Sequence, residues 1–338
     1  MSTLNLVKEL RQDCKYEQAL IELQNAEMNS ELYLQKGLIL YELSRFEEAI
    51  DAYSESLNLD SKNFKAYNNR GNAKGSLKLY TEAINDYDKA ISLNPNYSEA
   101  YFNRGFVYYN LKKYKEAISD YNKAIELDPE NFMAYNNRGN AKHFLKDYSD
   151  AISDFDKSLE IQSTHNTFFN RALAKESLED YDGAISDYSM ALDLKPDDIQ
   201  VLLKRGFAEY QASQLDLAKN DFLNVLSFDK NNVEALVSLG MVYHLEKNDE
   251  KAVELYSKAI SINDEYADAY INRSISSSFL KKYDIAEADL RRMFSFDIFR
   301  NDYLSTFVQI RDVVASCDDD ASKKFLEILD KLSLDIKK

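Results

Sequence analysis

Six arginines, Arg70, Arg104, Arg138, Arg171, Arg205 and Arg273, each stand sixteen residues before an aspartate: Asp86, Asp120, Asp154, Asp187, Asp221 and Asp289. A guanidinium and a carboxylate held at fixed separation can form a bidentate ion pair; unpaired, the same arginines could bind phosphate. The exceptions decide between the two. Where the arginine position is Leu239 its partner is Leu255, and where it is Lys36 the partner is Ala52. A pair of leucines is the apolar substitute that a partly buried ion pair tolerates. The series is therefore read as structural ion pairs across a hairpin.

A second series carries carboxamides: Asn69, Asn103, Asn137, Asn170 and Asn272, with Lys204 and Ser238 interrupting it, and Asn72 and Asn140 three residues after Asn69 and Asn137. An amide side chain both donates and accepts, so a row of them can pair with the N–H and C=O groups of a peptide whatever its sequence. Other chemistry is missing. His143, His165 and His244 show no ligand spacing, and Cys14 and Cys317 lie at opposite ends of the chain, so no metal is expected. Residues 71–76, Gly-Asn-Ala-Lys-Gly-Ser, lack the glycine-to-Gly-Lys spacing of a phosphate loop, and neither G-x-S-x-G nor H-E-x-x-H occurs.

The elements that must position these residues follow from a repeat. Residues 66–74 and 134–142 are identical nine-residue segments, 68 residues apart, which is twice 34. In a frame of 34 places, Gly37, Gly71, Gly105, Gly139, Gly206 and Gly240 share place eight, with Ala172 and Ser274 completing the column. Place four is aromatic or leucine, from Tyr33 to Tyr270; place twenty is alanine throughout, from Ala49 to Ala286; place twenty-four is mostly aromatic. Pro95, Pro129 and Pro196 fall at place thirty-two, where proline ends one helix and leads into the next. One step, from Gly139 to Ala172, is 33 residues, through a deletion near 163–166. Each repeat reads as two amphipathic helices that cannot bury both faces alone, so stability comes from stacking of neighbours.

Composition agrees. With 8 Gly, 3 Pro and no Trp in 338 residues, an all-helical chain is expected, and 45% apolar residues suffice for a core. A net charge of −16 argues against a nucleic-acid or anionic-membrane face. Residues 1–20 lack the apolar core of a signal peptide, and no apolar run approaches a membrane span, so cytoplasm is the default location.

The pattern of aromatic, glycine, alanine, aromatic and proline over 34 residues resembles the tetratricopeptide family at every signature place, across about residues 30–300. The resemblance implies an all-α fold, a right-handed α-solenoid superhelix of stacked antiparallel helix hairpins. Eight repeats are expected at 30–63, 64–97, 98–131, 132–164, 165–198, 199–232, 233–266 and 267–300. A divergent hairpin precedes them at 1–29. Two capping helices follow at 301–338, the second with Phe325, Ile328, Leu329 and Leu332 at helical spacing.

In this family the first helix of each repeat lines a concave groove. The resemblance thus puts Asn69, Asn72, Asn103, Phe106, Asn137, Asn140, Asn170, Lys204, Phe207 and Tyr210 on a peptide-binding face. The asparagine row is similar to the ladder in the repeats of O-GlcNAc transferase. The family's clamp for heat-shock chaperone tails fits poorly. Its closest match, Asn136 and Asn140, Asn170, then Gln200 and Lys204, keeps one positive charge where the clamp has three. The expected function is a non-enzymatic, cofactor-free scaffold or adaptor that binds an extended peptide or partner helix. The expected partner is a protein or peptide other than a chaperone tail, held by its backbone, with basic side chains suited to an acidic protein. The alternatives are a structural subunit assembling through its convex face or terminal helices, and a regulatory protein responsive to a peptide or small molecule.

Overall fold

The structure, a computed structural model, describes residues 2–296 and 320–336. Among them are nineteen helices and no strand. The chain divides into two compact units, Met1–Ala174 and Lys175–Lys338.

The first unit begins with a short hairpin, α1 (Thr3–Gln12) and α2 (Tyr16–Gln24). Four longer hairpins follow: α3 (Ser30–Glu42) with α4 (Phe46–Leu59), α5 (Phe64–Ser76) with α6 (Tyr80–Leu93), α7 (Ser98–Asn110) with α8 (Tyr114–Leu127), and α9 (Phe132–Phe144) with α10 (Tyr148–Ile161). The next helix, α11 (His165–Glu176), begins in this unit. The second unit holds α12 (Tyr181–Leu194), α13 (Ile199–Gln211), α14 (Leu215–Phe228), α15 (Val233–Leu245), α16 (Asp249–Ile262), α17 (Ala267–Phe279), α18 (Tyr283–Phe294) and α19 (Asp320–Ile336). Within each unit successive helices, α1 to α10 in the first and α12 to α18 in the second, pack on one another along the chain, which makes each a stack of helical hairpins, the architecture of an α-solenoid.

Local chemistry sets the ends of these helices. Asn29, Asn63, Asn131 and Asn232 cap α3, α5, α9 and α15 by accepting from the backbone N–H three residues on, at 2.9–3.1 Å. Between the helices of a hairpin, one residue turns left-handed: Ser44, Lys78, Lys112, Lys146, Ser213, Lys247 and Lys281 all have φ between 59° and 67°. The following N–H then returns to a carbonyl five residues back, as Leu79 does to Lys74 at 2.9 Å, and this closes the helix end. Cys14 adopts the same turn (φ 58°), so the divergent first hairpin shares its geometry.

Close helix approach explains the glycine and alanine columns. All eight place-twenty alanines, Ala49 to Ala286, are fully buried. Built on Gly71, a Cβ would stand 2.7 Å from the ring of Tyr87, and the other place-eight glycines face the ring at place twenty-four in the same way. No glycine has a positive φ, so the column is dictated by space and not by backbone conformation. Where place eight is Ser274, place twenty-four is Leu290, which is not a ring. Gly71→Ala should lose about 1–2 kcal/mol, because overpacking outweighs the better helix propensity of alanine. A thermal melt checks this; a variant as stable as the parent would show that the ring has room to move.

At the far end of the second unit, Phe325, Ile328 and Leu329 of α19 are buried against Tyr270, Leu290, Met293 and Phe294 of α17 and α18. The first of the two helices expected over 301–338 lies outside the described residues, as does Cys317.

Candidate functional site

The arginine–aspartate series sets the first helices against the second. Arg70 donates from Nε and Nη2 to Asp86 at 2.9 and 2.7 Å. Arg104 with Asp120, Arg138 with Asp154, Arg205 with Asp221 and Arg273 with Asp289 repeat this two-bond geometry at 2.6–2.9 Å. Arg171 and Asp187 belong to different units. Arg171, in the first, meets Asp156 at 2.6 Å, and Asp187, in the second, has Lys175 Nζ at 2.8 Å. Aromatic rings at place four lie 5.4–5.8 Å from the guanidinium carbon in five of the repeats, a cation–π contact on the open side.

The third guanidinium nitrogen reaches back to the preceding hairpin. Nη1 of Arg70, Arg104, Arg138, Arg205 and Arg273 donates to Ser54, Asp88, Asn122, Ser189 and Ser257, at 2.5–3.1 Å. Arg171 does the same to Asp156. Each acceptor lies sixteen residues before its arginine, except Asp156, which lies fifteen before because of the deletion. Sixteen residues before Leu239 stands Leu223. The column varies with the other two, and this third partner was missed in the sequence although its spacing was there to be read.

Place eleven adds a further charge. Lys74 and Lys142 approach Asp86 and Asp154 at 2.6 and 2.8 Å, as Lys175 does Asp187. Tyr108 takes this place in the next repeat and Glu209 in the second unit. Glu209 is only 4% exposed; its Oε1 is 3.8 Å from Arg205 Nε and its Oε2 has no hydrogen-bond partner. Burial, and then the neighbouring Asp221, push its pKa up to about 7.

The first helices α5, α7 and α9 enclose a cavity of about 520 Å³. Of the residues expected to bind, Asn72, Asn103, Phe106 and Asn137 line it, together with Tyr41, Tyr80, Phe102, Val107 and Met133. A smaller cavity of about 290 Å³ shares Met133 and Asn137 and continues toward Asn166 and Thr167. Asn69, Asn140 and Asn170 are not on the wall of the larger cavity. Lys204, Phe207 and Tyr210 lie in the second unit, where the rings of Phe207 and Tyr210 stack with centroids 6.3 Å apart.

The amides are partly engaged within the protein. Asn103 donates to Asn68 Oδ1 at 3.1 Å, and Asn68 donates in turn to Asn69 at 3.4 Å. One repeat pair further on, Asn170 donates to Asn136 at 3.1 Å and Asn136 to Asn137 at 3.2 Å. Tyr87 donates its hydroxyl to Asn72 Oδ1 at 2.9 Å. Asn68, buried, and Asn136 thus link neighbouring repeats. Their signal in the sequence was the doubled Asn-Asn at 68–69 and 136–137.

Gly75 also lines the cavity and differs from the place-eight glycines. A Cβ on it would meet nothing nearer than 3.8 Å, and its φ is not positive, so neither packing nor backbone requires glycine. At the same place the flanking repeats carry Tyr41 and Tyr109. A helical glycine costs about 1 kcal/mol relative to alanine. What this one provides is open space. The cavity wall carries one charged residue, Lys78, and no carboxylate. The expectation of basic ligand side chains therefore finds no acid to pair with here, because net charge describes the whole chain and not this surface.

One cluster imitates a hydrolase triad. His244 Nδ1 lies 2.6 Å from Asp249 Oδ1 and 3.2 Å from Ser276 Oγ. Both partners share one nitrogen and Ser276 is fully buried, so the ring cannot relay a proton from hydroxyl to carboxylate. Among the described residues no group of three or more His, Cys, Asp and Glu side chains could hold a metal, and no helix is long and apolar enough to cross a membrane.

Stacked hairpins with a ligand-sized cleft between first helices define the class of helical-repeat scaffolds. Models of the tetratricopeptide repeat match residues 37–78, 76–112, 98–131, 120–153, 165–198 and 233–266. These segments cover more than half of the chain, which belongs to the tetratricopeptide-repeat family. A search of curated proteins finds no match. Among solved structures, YrrB, described as a TPR protein with an unusual peptide-binding site, is 27% identical with a TM-score of 0.50, over 54% of this chain and 95% of that one. The C-terminal part of a TPR repeat-containing protein from Cytophaga hutchinsonii is 19% identical, TM-score 0.60, over 71% and 98%. A tetratricopeptide repeat protein from Parabacteroides merdae is 20% identical, TM-score 0.52, over 73% and 98%. Repeats of this family are in general non-enzymatic protein-interaction scaffolds, and the chain is built of such repeats.

Proposed function

We propose that the chain is a cytoplasmic adaptor that holds an extended peptide of a partner protein along α5, α7 and α9. The observation that carries this is the state of the cavity amides. Asn72, Asn103 and Asn137 each have one polar atom engaged within the protein, which fixes the side chain. The opposite atoms of Asn72 and Asn103 are left to pair with a peptide backbone, while the amide nitrogen of Asn137 also faces the Tyr121 hydroxyl. YrrB, the similar protein described with a peptide-binding site, supports the reading. A chaperone-tail clamp is disfavoured, because Asn136 and Asn170, which it would need, are bonded to each other.

Selection of random twelve-residue peptides displayed on phage, with the full chain as bait, tests the proposal. Peptides enriched on the parent should lose at least tenfold in affinity on Asn103→Ala/Asn137→Ala/Asn170→Ala. Circular dichroism establishes that this variant is folded. Failure to enrich any peptide, or undiminished binding to the folded variant, would sink the groove reading.

A second reading has its own observation. Met190, Leu194, Leu217, Leu223 and Phe228 on α12 and α14 are 45–56% exposed, large apolar side chains open to a partner. Light scattering separates the two: a monomer at micromolar concentration removes assembly through copies of this chain.

A further inference from the structure

We infer that the cavity beside Gly75 is an anchor pocket for one bulky, uncharged side chain of the bound peptide, of the phenylalanine, leucine or methionine class. The inference rests on the groove reading and names the ligand chemistry of that site. Three observations meet here. First, rings and aliphatic groups make most of the wall's surface, and Phe106 and Met133 are each 49% exposed although both are large and apolar. Second, glycine stands where the adjoining repeats have Tyr41 and Tyr109, at a position that has room for a side chain, so the space is an opening in an otherwise aromatic row. Third, the charge pattern selects against ionised anchors. A lysine or arginine would enter a wall that holds no carboxylate and would meet Lys78. A carboxylate would be stripped of water among rings, with only an exposed lysine in compensation. An uncharged apolar group has neither cost and is flanked by the amides of Asn72, Asn103 and Asn137, which can take the backbone on either side.

The fixed side chains make the pocket pre-formed. Asn103 is held by Asn68 and Asn72 by Tyr87, so little ordering is needed when a ligand enters.

The probe is the set of phage-selected twelve-residue peptides, acetylated and amidated, titrated against the full chain by fluorescence anisotropy. They should share a bulky uncharged residue at one position, and changing it to lysine or glutamate should weaken binding at least tenfold. Gly75→Tyr, which restores the neighbours' residue, should weaken the same peptides at least tenfold with no loss of thermal stability. Phe106→Ser, at an exposed site, gives a second variant with the same expectation. Peptides that bind Gly75→Tyr and Phe106→Ser as well as the parent, yet fail on the triple asparagine variant, would overturn the anchor pocket and leave the groove standing. Peptides whose shared residue is charged would overturn it likewise. If no peptide is enriched, groove and pocket fall together.

Discussion

Asp120→Leu alone is expected to destabilise the first unit by about 3–5 kcal/mol, while Arg104→Leu combined with it restores most of that loss. The reasoning starts from desolvation. Asp120 is almost fully buried, and burial pushes its pKa above the ordinary aspartate value against the pull of Arg104. Removing the carboxylate leaves the guanidinium, itself only 19% exposed, with Asp88 on the rim and nothing beneath it. Removing both charges creates an arrangement the chain already contains, since the seventh repeat has Leu239, Tyr243 and Leu255 where this one has Arg104, Tyr108 and Asp120. Asp88, which loses its partner, is half exposed and recovers water at little cost. Urea titrations with amide exchange across α7 and α8 measure both variants. A double variant as unstable as the single one would mean that the stranded guanidinium is not the source of the loss.

The second large effect depends on pH. A glutamate ordinarily titrates near 4.5, and Glu209 in the folded chain near 7. Below about pH 4.5 the carboxyl is protonated in both states and costs nothing. Between the two values the unfolded chain releases its proton first, so the second unit loses up to about 1.4 kcal/mol per pH unit. Above pH 7 the penalty is constant at roughly 3–3.5 kcal/mol. Glu209→Gln should therefore be more stable than the parent by about that amount at pH 8 and equal to it near pH 4.5. Glu209→Lys would place an ammonium beside Asp221, as Lys74 stands beside Asp86, and should gain at least as much at pH 8. Thermal melts of the three proteins at both pH values decide the matter. A difference between parent and Glu209→Gln that does not change with pH would show that the carboxyl keeps an ordinary pKa.

Much of the scaffold was legible before any coordinates. The sixteen-residue step from Arg104 to Asp120 has one geometric solution in a helical hairpin, and the paired exceptions Leu239 and Leu255 identified the interaction as mutual. Place eight was legible as a need for small residues, although only the ring of Tyr87 shows how narrow the gap is. The site was less legible. Asn103 and Asn137 were singled out by their spacing, but spacing does not say which of an amide's two atoms is already engaged, and that depends on Asn68 and Asn136 beside them. Gly75 was hidden by Gly71, because two glycines in one helix look alike until a Cβ is placed on each. Glu209 gave no signal, since a glutamate on an amphipathic helix is usually solvated and here its place faces the ion pair.

The absent guanidinium at Leu239 has a mechanical meaning. A hydrogen bond fixes an angle as well as a distance, whereas apolar surfaces in contact resist separation but permit sliding. In the second unit, Arg205 ties α13 to α12 and Arg273 ties α17 to α16 through such oriented bonds. Between α14 and α15 the corresponding positions are Leu223 and Leu239. The oriented bonds across this joint run instead from Lys219 of α14 to both carboxylate oxygens of Glu246 at the end of α15, at 2.9 and 2.8 Å, so its angle is held by a partly exposed pair that salt screens and not by a buried one.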